Sequence, residues 1–393
     1  MRLFTRLAVA ALLTVPPVAA GSASADTPEP TPVPLHKAAD AIPGKYIVTL
    51  EKGVDATKRA KELGLKPTFV YHTVMNGFAA PLTKLQLDLV RVSLGVKSVE
   101  EDATASAPPT PVGRNTTRAP SYSWGLDRID QRQLPLDDDF TTQGSGAGVT
   151  AYIIDTGIET AHAEFGGRAT VGFDAIGDGR AGQDCNGHGT HVAGTVGGST
   201  YGVARKVNLV AVRVLNCNSQ GPWSGIIAGF DWVASHARQP AVANASLGGD
   251  FTQSVNDAAN ALSDSGVLPV VAAGNSSKDA CTVSPASASR VYTVGATDRY
   301  DQETDFSNYG RCLSGYAPGQ DIVSARLGGG STALNGTSMA SPHVAGVAAL
   351  YKAAHPTETP AQVATWLYRT STKDVVNNLS PNSPNNILYT GGL

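Results

Sequence analysis

Five short segments between residues 149 and 294 are almost entirely apolar, and segments of helical pattern lie between several of them. Strands that are apolar on both faces are typical of a parallel sheet covered by helices on each side. The five segments are Val149–Ile154, Leu209–Leu215, Ala241–Leu247, Val267–Ala273 and Val291–Val294. The pattern predicts an α/β domain over residues 120–393, built on a doubly wound, mostly parallel sheet with helices on both faces. Functional residues are expected beyond the carboxyl ends of its strands.

The charge balance argues against a nucleic-acid partner. The chain has 30 Lys and Arg residues against 33 Asp and Glu residues, a formal net charge of −3. Without an excess of positive charge, it cannot bind DNA or RNA by releasing counterions. Hydrophobic residues make up 41% of the 393 residues, which is enough to build a sizeable core.

Residues 1–25 have the organisation of a secretory signal peptide. Arg2 and Arg6 form the basic start, Leu7–Val15 the apolar run, and Ala23–Ala25 the small-residue cleavage site. The apolar run is too short to cross a bilayer comfortably, and no later stretch approaches ~20 apolar residues. We therefore expect a secreted protein with no membrane segment in its mature form. Export favours disulfides over reduced thiols, and four cysteines allow three pairings.

Composition divides the rest of the chain. Residues 26–41 contain four prolines and predict an extended linker. Residues 42–102 combine strand patterns with two helical patterns, which is typical of a small α+β unit of the ferredoxin-like, split βαβ type. Residues 103–119 are rich in Ala, Pro, Thr and Ser, and this composition predicts an exposed linker that can be cleaved before the large domain.

Three separate motifs of the large domain carry residues suited to acyl transfer. Asp155 directly follows an apolar strand, His188 lies in the run NGHGTHVAG, and Ser338 lies in GTSMASPH ahead of a helical pattern over residues 344–353. A serine hydroxyl is a weak nucleophile. It needs a neutral imidazole as its base and a carboxylate to hold that imidazole in one tautomer. The chain order Asp, His, Ser is one of three orders found on unrelated triad folds.

Each motif alone has a plainer interpretation. An Asp after a strand is usually a turn or cap residue, and two histidines three residues apart, His188 and His191, suggest a zinc site. No HExxH pattern or Cys pair accompanies them, so a catalytic metal is disfavoured. The lipase-type motif GxSxG is disfavoured as well, because Ala340 occupies the final Gly position.

With the three blocks DTG at Asp155, HGTH at His188 and GTSMA around Ser338 in this order, residues 120–393 resemble the subtilisin-like serine proteases (subtilases). The resemblance is greatest to the proteinase K group and its aqualysin branch. Residues 42–102 resemble the inhibitor-type propeptide of these enzymes. The resemblance implies a secreted serine endopeptidase made as a self-processing zymogen, with protein and peptide substrates and no catalytic cofactor. A monomer is expected, and cleavage of the linker is expected near Arg118–Ser121.

The resemblance also implies residue roles. Ser338 attacks the scissile carbonyl, His188 acts as base and then acid, and Asp155 orients the imidazole. Asn275, at the end of the strand VVAAGN, donates to the oxyanion together with the backbone N–H of Ser338. The alternatives for Asn275 are a turn residue or a glycosylation sequon.

The implied substrate cleft has two parts. A segment over Gly221–Gly225 pairs with the substrate backbone, or is simply an exposed edge. The walls of the P1 pocket are small residues and bare backbone without a charge, which favours aromatic or large aliphatic P1 residues within a broad specificity. The predicted pocket residues are Ser246, Leu247, Gly248, Ala272, Ala273 and Gly274.

Two stabilising features are implied as well. The aqualysin branch pairs the cysteines as Cys185 with Cys217 and Cys281 with Cys312. It also has an N-terminal loop that binds a structural calcium ion through hard oxygen ligands. A solvated acidic turn is the alternative, but carboxylates packed this closely would repel one another without a cation. The predicted ligands are Asp127, Asp130, Gln131, Asp137 and Asp139.

Overall fold

The computed structural model describes residues 31–107 and 123–393. The predicted signal peptide, residues 1–25, lies outside these ranges, as does the segment Arg118–Ser121 where cleavage is expected. Within the described ranges, no helix combines the length and the apolar composition that crossing a bilayer requires.

The small N-terminal unit is an α+β sandwich whose sheet has the strand order β1-β5-β2-β4-β3. Helix α1 begins where Asp55 accepts a hydrogen bond from Lys58 N at 2.8 Å, and Thr83 forms a capping box with Gln86 at the start of α2. The elements are β1 (Leu35–His36), β2 (Ala41–Leu50), α1 (Ala56–Glu62), β3 (Phe69–Tyr71), β4 (Gly77–Pro81), α2 (Lys84–Arg91) and β5 (Val96–Ser106).

This unit extends beyond both boundaries expected from the sequence. Strand β1 lies in the segment 26–41 that was predicted to be a linker, and Leu35 pairs with Val99 of β5. Strand β5 continues to Ser106, past the expected boundary at residue 102. The two differences have separate causes. β1 is too short to show a periodicity, and the end of β5 pairs with a strand of the large domain, which local composition does not reveal.

The large domain has six α-helices and a series of mostly short strands within the described residues. Its helices are α3 (Trp124–Asp130), α4 (His188–Gly197), α5 (Trp223–His236), α6 (Gln253–Asp264), α7 (Thr337–Ala354) and α8 (Pro360–Thr370), of which α3 is the shortest. Its strands are β6 (Thr150–Asp155), β7 (Ala169–Asp174), β8 (Asn208–Arg213), β9 (Gln220–Pro222), β10 (Ala241–Ala245), β11 (Gly249–Asp250), β12 (Leu268–Ala272), β13 (Val283–Ser284), β14 (Tyr292–Thr297), β15 (Gly315–Pro318), β16 (Ile322–Ala325), β17 (Ser331–Leu334), β18 (Thr372–Lys373) and β19 (Asn386–Ile387).

The main sheet confirms the predicted doubly wound architecture. Its strand order is β18-β19-β15-β14-β12-β10-β6-β8-β7, and the β18–β19 pair alone is antiparallel among the described strands of this sheet. Ile153 packs in the cluster that contains α4 and α7. Its neighbour Ile154 packs on the opposite face, in the cluster that contains α5 and α6. Successive side chains of β6 are therefore both buried, which explains its continuous apolar run.

Candidate active site

Asp155 and His188 meet at the carboxyl end of the sheet. Asp155 is the last residue of β6, and His188 is the first residue of α4. His188 Nδ1 lies 2.8 Å from Asp155 Oδ1, and the backbone N–H of Thr156 donates to the same oxygen at 2.7 Å. Both side chains are buried. The carboxylate therefore holds one ring nitrogen of the imidazole in a fixed orientation.

The electrostatics of this pair favour the protonated ring. Burial by itself lowers the pKa of His188, because it disfavours the imidazolium. The charge of Asp155 and its hydrogen bond, together with the charge of Asp184, act in the opposite direction and leave the pKa of His188 above its ordinary value of 6.5. An imidazolium that forms beside Asp155 is thus stabilised.

The second histidine of the motif, His191, supports the structure of a hairpin. Its Nε2 lies 3.0 Å from the carbonyl of Ile322 and 3.2 Å from that of Thr332. Since both partners are acceptors, Nε2 carries the proton. Burial, followed by the charge of His188, lowers the pKa of His191 to about 3, so this ring is neutral. Its Nε2 is engaged in joining α4 to β16 and β17.

Ser338 lies in the first turn of α7, which begins earlier than the sequence suggested. The predicted helix of residues 344–353 extends over Thr337–Ala354, with Pro342 in its interior. Pro342 has no N–H to donate to the Ser338 carbonyl four residues before it. Ser246 Oγ donates to that carbonyl instead, at 2.9 Å. The proline is tolerated because a side chain from the segment directly after β10 supplies the missing hydrogen bond.

The Ser338 hydroxyl contacts the same segment. Its Oγ donates to the Ser246 carbonyl at 3.3 Å, whereas His188 Nε2 is buried and has no hydrogen-bond partner among the described residues. The structure thus joins Asp155 to His188 and Ser338 to Ser246, without a hydrogen bond between Ser338 and His188. Such contacts are often long before substrate binds.

Asn275 follows β12 and is oriented by the residue before Ser338. Its Oδ1 accepts hydrogen bonds from Thr337 N at 2.9 Å and from Thr337 Oγ1 at 2.8 Å. The amide nitrogen consequently lies on the side of Gly336, where a Cβ would come within 3.0 Å of Asn275 Nδ2. Gly336 has a φ of 143°, a conformation that favours glycine. The glycine keeps open the space between this amide and the start of α7.

The end of β5 lies in the cleft as an added strand. It pairs antiparallel with β9, with Thr104 opposite Pro222. On its other side, Ser106 and Gly248 exchange two backbone hydrogen bonds, of 3.1 and 2.8 Å. The predicted substrate-pairing segment over residues 221–225 is therefore strand only to Pro222, and α5 begins at the next residue. Backbone pairing on both sides is the β-augmentation mode of peptide binding.

The two stretches predicted to line the P1 pocket follow neighbouring strands. One stretch follows β10 and the other ends β12, and these two strands are parallel neighbours in the sheet. Leu247 and Ala273 are fully buried, and Gly248 and Gly274 are half-buried. The two stretches consequently lie side by side at the carboxyl edge of the sheet.

Carboxylates of β5 contact the starts of two helices of the large domain. Asp102 accepts hydrogen bonds from Ser224 N at 3.1 Å and from Ser224 Oγ at 2.6 Å, at the first turn of α5. Glu100 accepts from Ser254 N at 3.3 Å, at the first turn of α6. Negative charge is favourable at a helix N-terminus. Burial nevertheless raises the pKa of Asp102, against the effect of its hydrogen bonds to Ser224.

A third carboxylate, which belongs to the large domain, accepts hydrogen bonds from the small unit. Asp231 of α5 accepts backbone hydrogen bonds from His72, Thr73 and Val74, the shortest at 2.7 Å. Beside it, Tyr71 donates to the carbonyl of Ser224 at 2.9 Å. These contacts could not be predicted from the sequence, because no local pattern distinguishes an aspartate that binds another unit from an aspartate exposed to solvent.

The disulfides join Cys185 to Cys217 and Cys281 to Cys312, the pairing that the resemblance implies. Cys185 lies three residues before His188, and Cys217 lies three residues before β9. The first disulfide therefore connects the segment that leads to His188 with the loop that leads to β9.

Arg213 is a site residue that the sequence analysis missed. It is fully buried at the end of β8, directly opposite Asp155 in the strand register. Its guanidinium binds Asp178 at 2.6 Å and Asp174 at 3.2 Å, and its Nε donates to the Thr156 carbonyl at 3.2 Å. An arginine within the apolar strand LVAVRVL was the available signal. Arg213 anchors the chain that follows Asp155.

The predicted calcium ligands form a compact acidic loop. Asp127 accepts hydrogen bonds from the backbone N–H groups of Asp137 and Asp138, and Asp130 accepts from Thr141 N at 2.7 Å. Burial, with the charges of Asp127, Asp137 and Asp139, raises the pKa of Asp130 to about 6. These mutually repelling hard oxygens are the donor set that calcium prefers.

Gln131 of the same loop is held by its amide nitrogen, which donates to the carbonyls of Gln133 and Pro135. This orientation keeps its side-chain oxygen as an acceptor. The residues that the sequence proposed as ligands therefore fit a calcium ion in their chemistry.

Comparison with known proteins agrees with this architecture. The model of the subtilase family matches residues 146–387, and the model of peptidase inhibitor I9 matches residues 62–107. An extracellular serine proteinase of Thermus sp. (strain Rt41A) is 46% identical over 382 residues, which are 90% of this chain and 91% of the relative. A cuticle-degrading protease of Metarhizium anisopliae is 40% identical over 397 residues, 98% of this chain and 99% of the relative.

Among solved structures, the crystal structure of a cold-adapted subtilisin-like serine proteinase has a TM-score of 0.68 and 49% sequence identity, and the match covers 69% of this chain and 99% of that chain. The chain belongs to the subtilase family. It is a subtilisin-like serine peptidase, a peptide-bond hydrolase that carries an I9-type inhibitor propeptide and acts on protein substrates.

Proposed function

We propose that this subtilase is a secreted endopeptidase whose triad is Asp155, His188 and Ser338, with Asn275 at the oxyanion. It is made as a zymogen, and its propeptide inhibits the enzyme and aids its folding until self-cleavage. The signal-peptide pattern and the extracellular proteinase of Thermus support secretion. The mature enzyme is a monomer.

One observation carries the proposal. The propeptide strand β5 pairs through Ser106 with Gly248, and the carbonyl of Ser246, two residues earlier, accepts from the Ser338 hydroxyl. A peptide that binds as this antiparallel strand is therefore directed toward Ser338. The same geometry explains how a propeptide blocks the cleft.

The reaction follows from these positions. Ser338 Oγ attacks the scissile carbonyl carbon, and its proton passes to His188 Nε2, since Nδ1 is engaged with Asp155. The oxyanion accepts hydrogen bonds from the Asn275 amide and from the Ser338 N–H, at the positive end of α7. His188 then protonates the leaving amine, and the C–N bond breaks to leave an acyl-enzyme. Water then attacks the acyl-enzyme through the same series of proton transfers, which releases the carboxylic acid and restores the Ser338 hydroxyl.

The P1 preference rests on the uncharged walls after β10 and β12. We expect peptide anilides with Phe, Tyr or Leu at P1 to be cleaved well and those with Glu poorly, because neither pocket stretch, Ser246–Gly248 or Ala272–Gly274, contains a charged residue. Steady-state kcat/KM over a P1 panel measures this. A strict preference for Arg or Lys would contradict the pocket assignment, and failure to cleave any anilide or casein would contradict the proposed activity.

The pH dependence of kcat/KM should report His188. Because only neutral imidazole accepts the serine proton, activity should fall as the pH decreases through the raised pKa of His188, with a midpoint above 6.5. Asp155→Asn removes the charge that raises this pKa and leaves the burial that lowers it. The midpoint of the residual activity should then move to lower pH. A flat profile from mildly acidic to alkaline pH would exclude His188 as the base.

A structural calcium ion is proposed at the acidic loop. In the inactive Ser338→Ala protein, calcium should raise the melting temperature above its value in EDTA, because the ion binds only the folded loop. The double variant Asp127→Ala/Asp130→Ala should lose this calcium-dependent shift. Asp257→Ala, at an exposed aspartate of α6, is the control and should keep it. Equal melting temperatures with calcium and EDTA would contradict the site.

A further inference from the structure

A cavity of about 700 Å³ continues from Ala107 past His188 to the hairpin of β16 and β17. Ala107 follows β5, which runs through the cleft in the direction of the catalytic residues. Its N–H donates to the carbonyl of Ser219 at 3.2 Å, so the backbone pairing persists to this point. In a substrate bound like β5, the residues after the scissile bond, which belong to the leaving group, would therefore enter this cavity.

Arg326 alone carries a permanent charge among the described residues that line the cavity, and no carboxylate lines it. The side chain is exposed, and its Nε donates to the carbonyl of Gly329 at 3.0 Å. Its terminal NH₂ groups form no ion pair with the described residues. Glu159, which contacts the same hairpin, accepts from Gly328 N at 2.9 Å. A planar guanidinium with two outward NH₂ groups is suited to bind a carboxylate.

The hairpin holds Arg326 in a defined place. Arg326 N donates to the Gly330 carbonyl at 3.1 Å, and its carbonyl accepts from Gly329 N at 2.9 Å, which closes a tight turn. Below the turn, Ser324 Oγ donates to the carbonyl of His191 at 2.8 Å. The backbone under the guanidinium is thus anchored to α4, the helix that begins with His188. A fixed position reduces the entropy lost on binding.

We propose that Arg326 determines specificity on the leaving-group side, by binding an Asp or Glu side chain within the first three residues after the scissile bond. This inference rests on the proposed endopeptidase function. Arg326 contributes to binding and takes no part in the chemistry of Ser338.

Internally quenched peptides test the proposal. All share one sequence before the scissile bond and carry Glu, Gln or Lys at one of the three positions after it. At one position at least, kcat/KM for the Glu peptide should exceed that for the Gln peptide about fivefold, as expected for a partly exposed ion pair. In Arg326→Gln the ratio should fall to about one, and in Arg326→Glu the Lys peptide should be preferred. High salt should reduce the wild-type ratio.

The matched control is Arg299→Gln. Arg299 is exposed and lies over the ring of Tyr300, outside the cavity lining, so this variant should keep the wild-type Glu to Gln ratio. A ratio of one at all three positions in the wild type, or an unchanged ratio in Arg326→Gln, would overturn the role of Arg326. Failure of the wild type to cleave even the Gln peptides would instead contradict the proposed function.

Discussion

Ser338→Ala should lower peptide-bond hydrolysis by about 10⁶-fold, the scale known for subtilisin itself, with little change in the melting temperature. The substitution removes the nucleophile but leaves a side chain of similar size in a buried position. The remaining activity reflects binding and oxyanion stabilisation. Anilide hydrolysis and thermal unfolding measure the two effects. Ser263→Ala, at a buried serine of α6 that is not among the residues assigned to the cleft, is the matched control and should remain fully active.

The same variant decides whether the zymogen processes itself. Expressed alone in a protease-free system, the wild type should yield a mature chain, and Ser338→Ala should remain uncleaved. Intact-mass measurement of both proteins locates the bond within the segment between the propeptide and α3. A mature Ser338→Ala chain would show that another protease performs the cleavage.

Replacement of Asn275 by Leu should lower kcat by about 10²–10³-fold with a small change in KM, the scale known for the corresponding donor of subtilisin. The amide donates to an oxyanion that exists only after attack, so its loss acts on the transition state and hardly on substrate binding. Leu has the same branching at Cγ as Asn, with methyl groups in place of the amide oxygen and nitrogen, so it is a near match in shape without hydrogen-bonding groups.

The Leu variant also lacks the oxygen that accepts hydrogen bonds from Thr337. A second variant therefore separates the loss of this acceptor from the loss of the oxyanion donor. Asn275→Asp keeps the acceptor for Thr337 N and Oγ1 but has no amide to donate. It should lose at least as much kcat as the Leu variant. If both variants retained kcat within tenfold of the wild type, Asn275 would not be the oxyanion donor.

The architecture of the large domain is predictable from the amino-acid sequence. Strands buried on both faces must be apolar throughout, so the continuous runs identify a covered parallel sheet, as Ile153 and Ile154 show on its two faces. The candidate groups of the site could also be found in the sequence, because each lies in a short motif at the boundary of a strand or helix. Asp155 ends a strand, His188 begins a helix, and Ser338 lies in the first turn of another.

The extent of the helices and strands, and the contacts that hold them, depend instead on residues far apart in the chain. Helix α7 begins at Thr337 because Ser246 replaces the hydrogen bond that Pro342 cannot give, across 92 residues of sequence. The propeptide strand β5 runs to Ser106 because the large domain supplies its partner.

The carboxylates that join the two units could not be recognised from the sequence either. Asp231 and Asp102 are ordinary aspartates in the sequence, and they become acceptors only when the other unit presents N–H groups to them. The physical reason is the short distance along the chain over which a sequence pattern carries structural information. Periodicity and motif report on neighbours a few residues apart, whereas these hydrogen bonds join groups that more than 100 residues separate and that only the folded chain brings together.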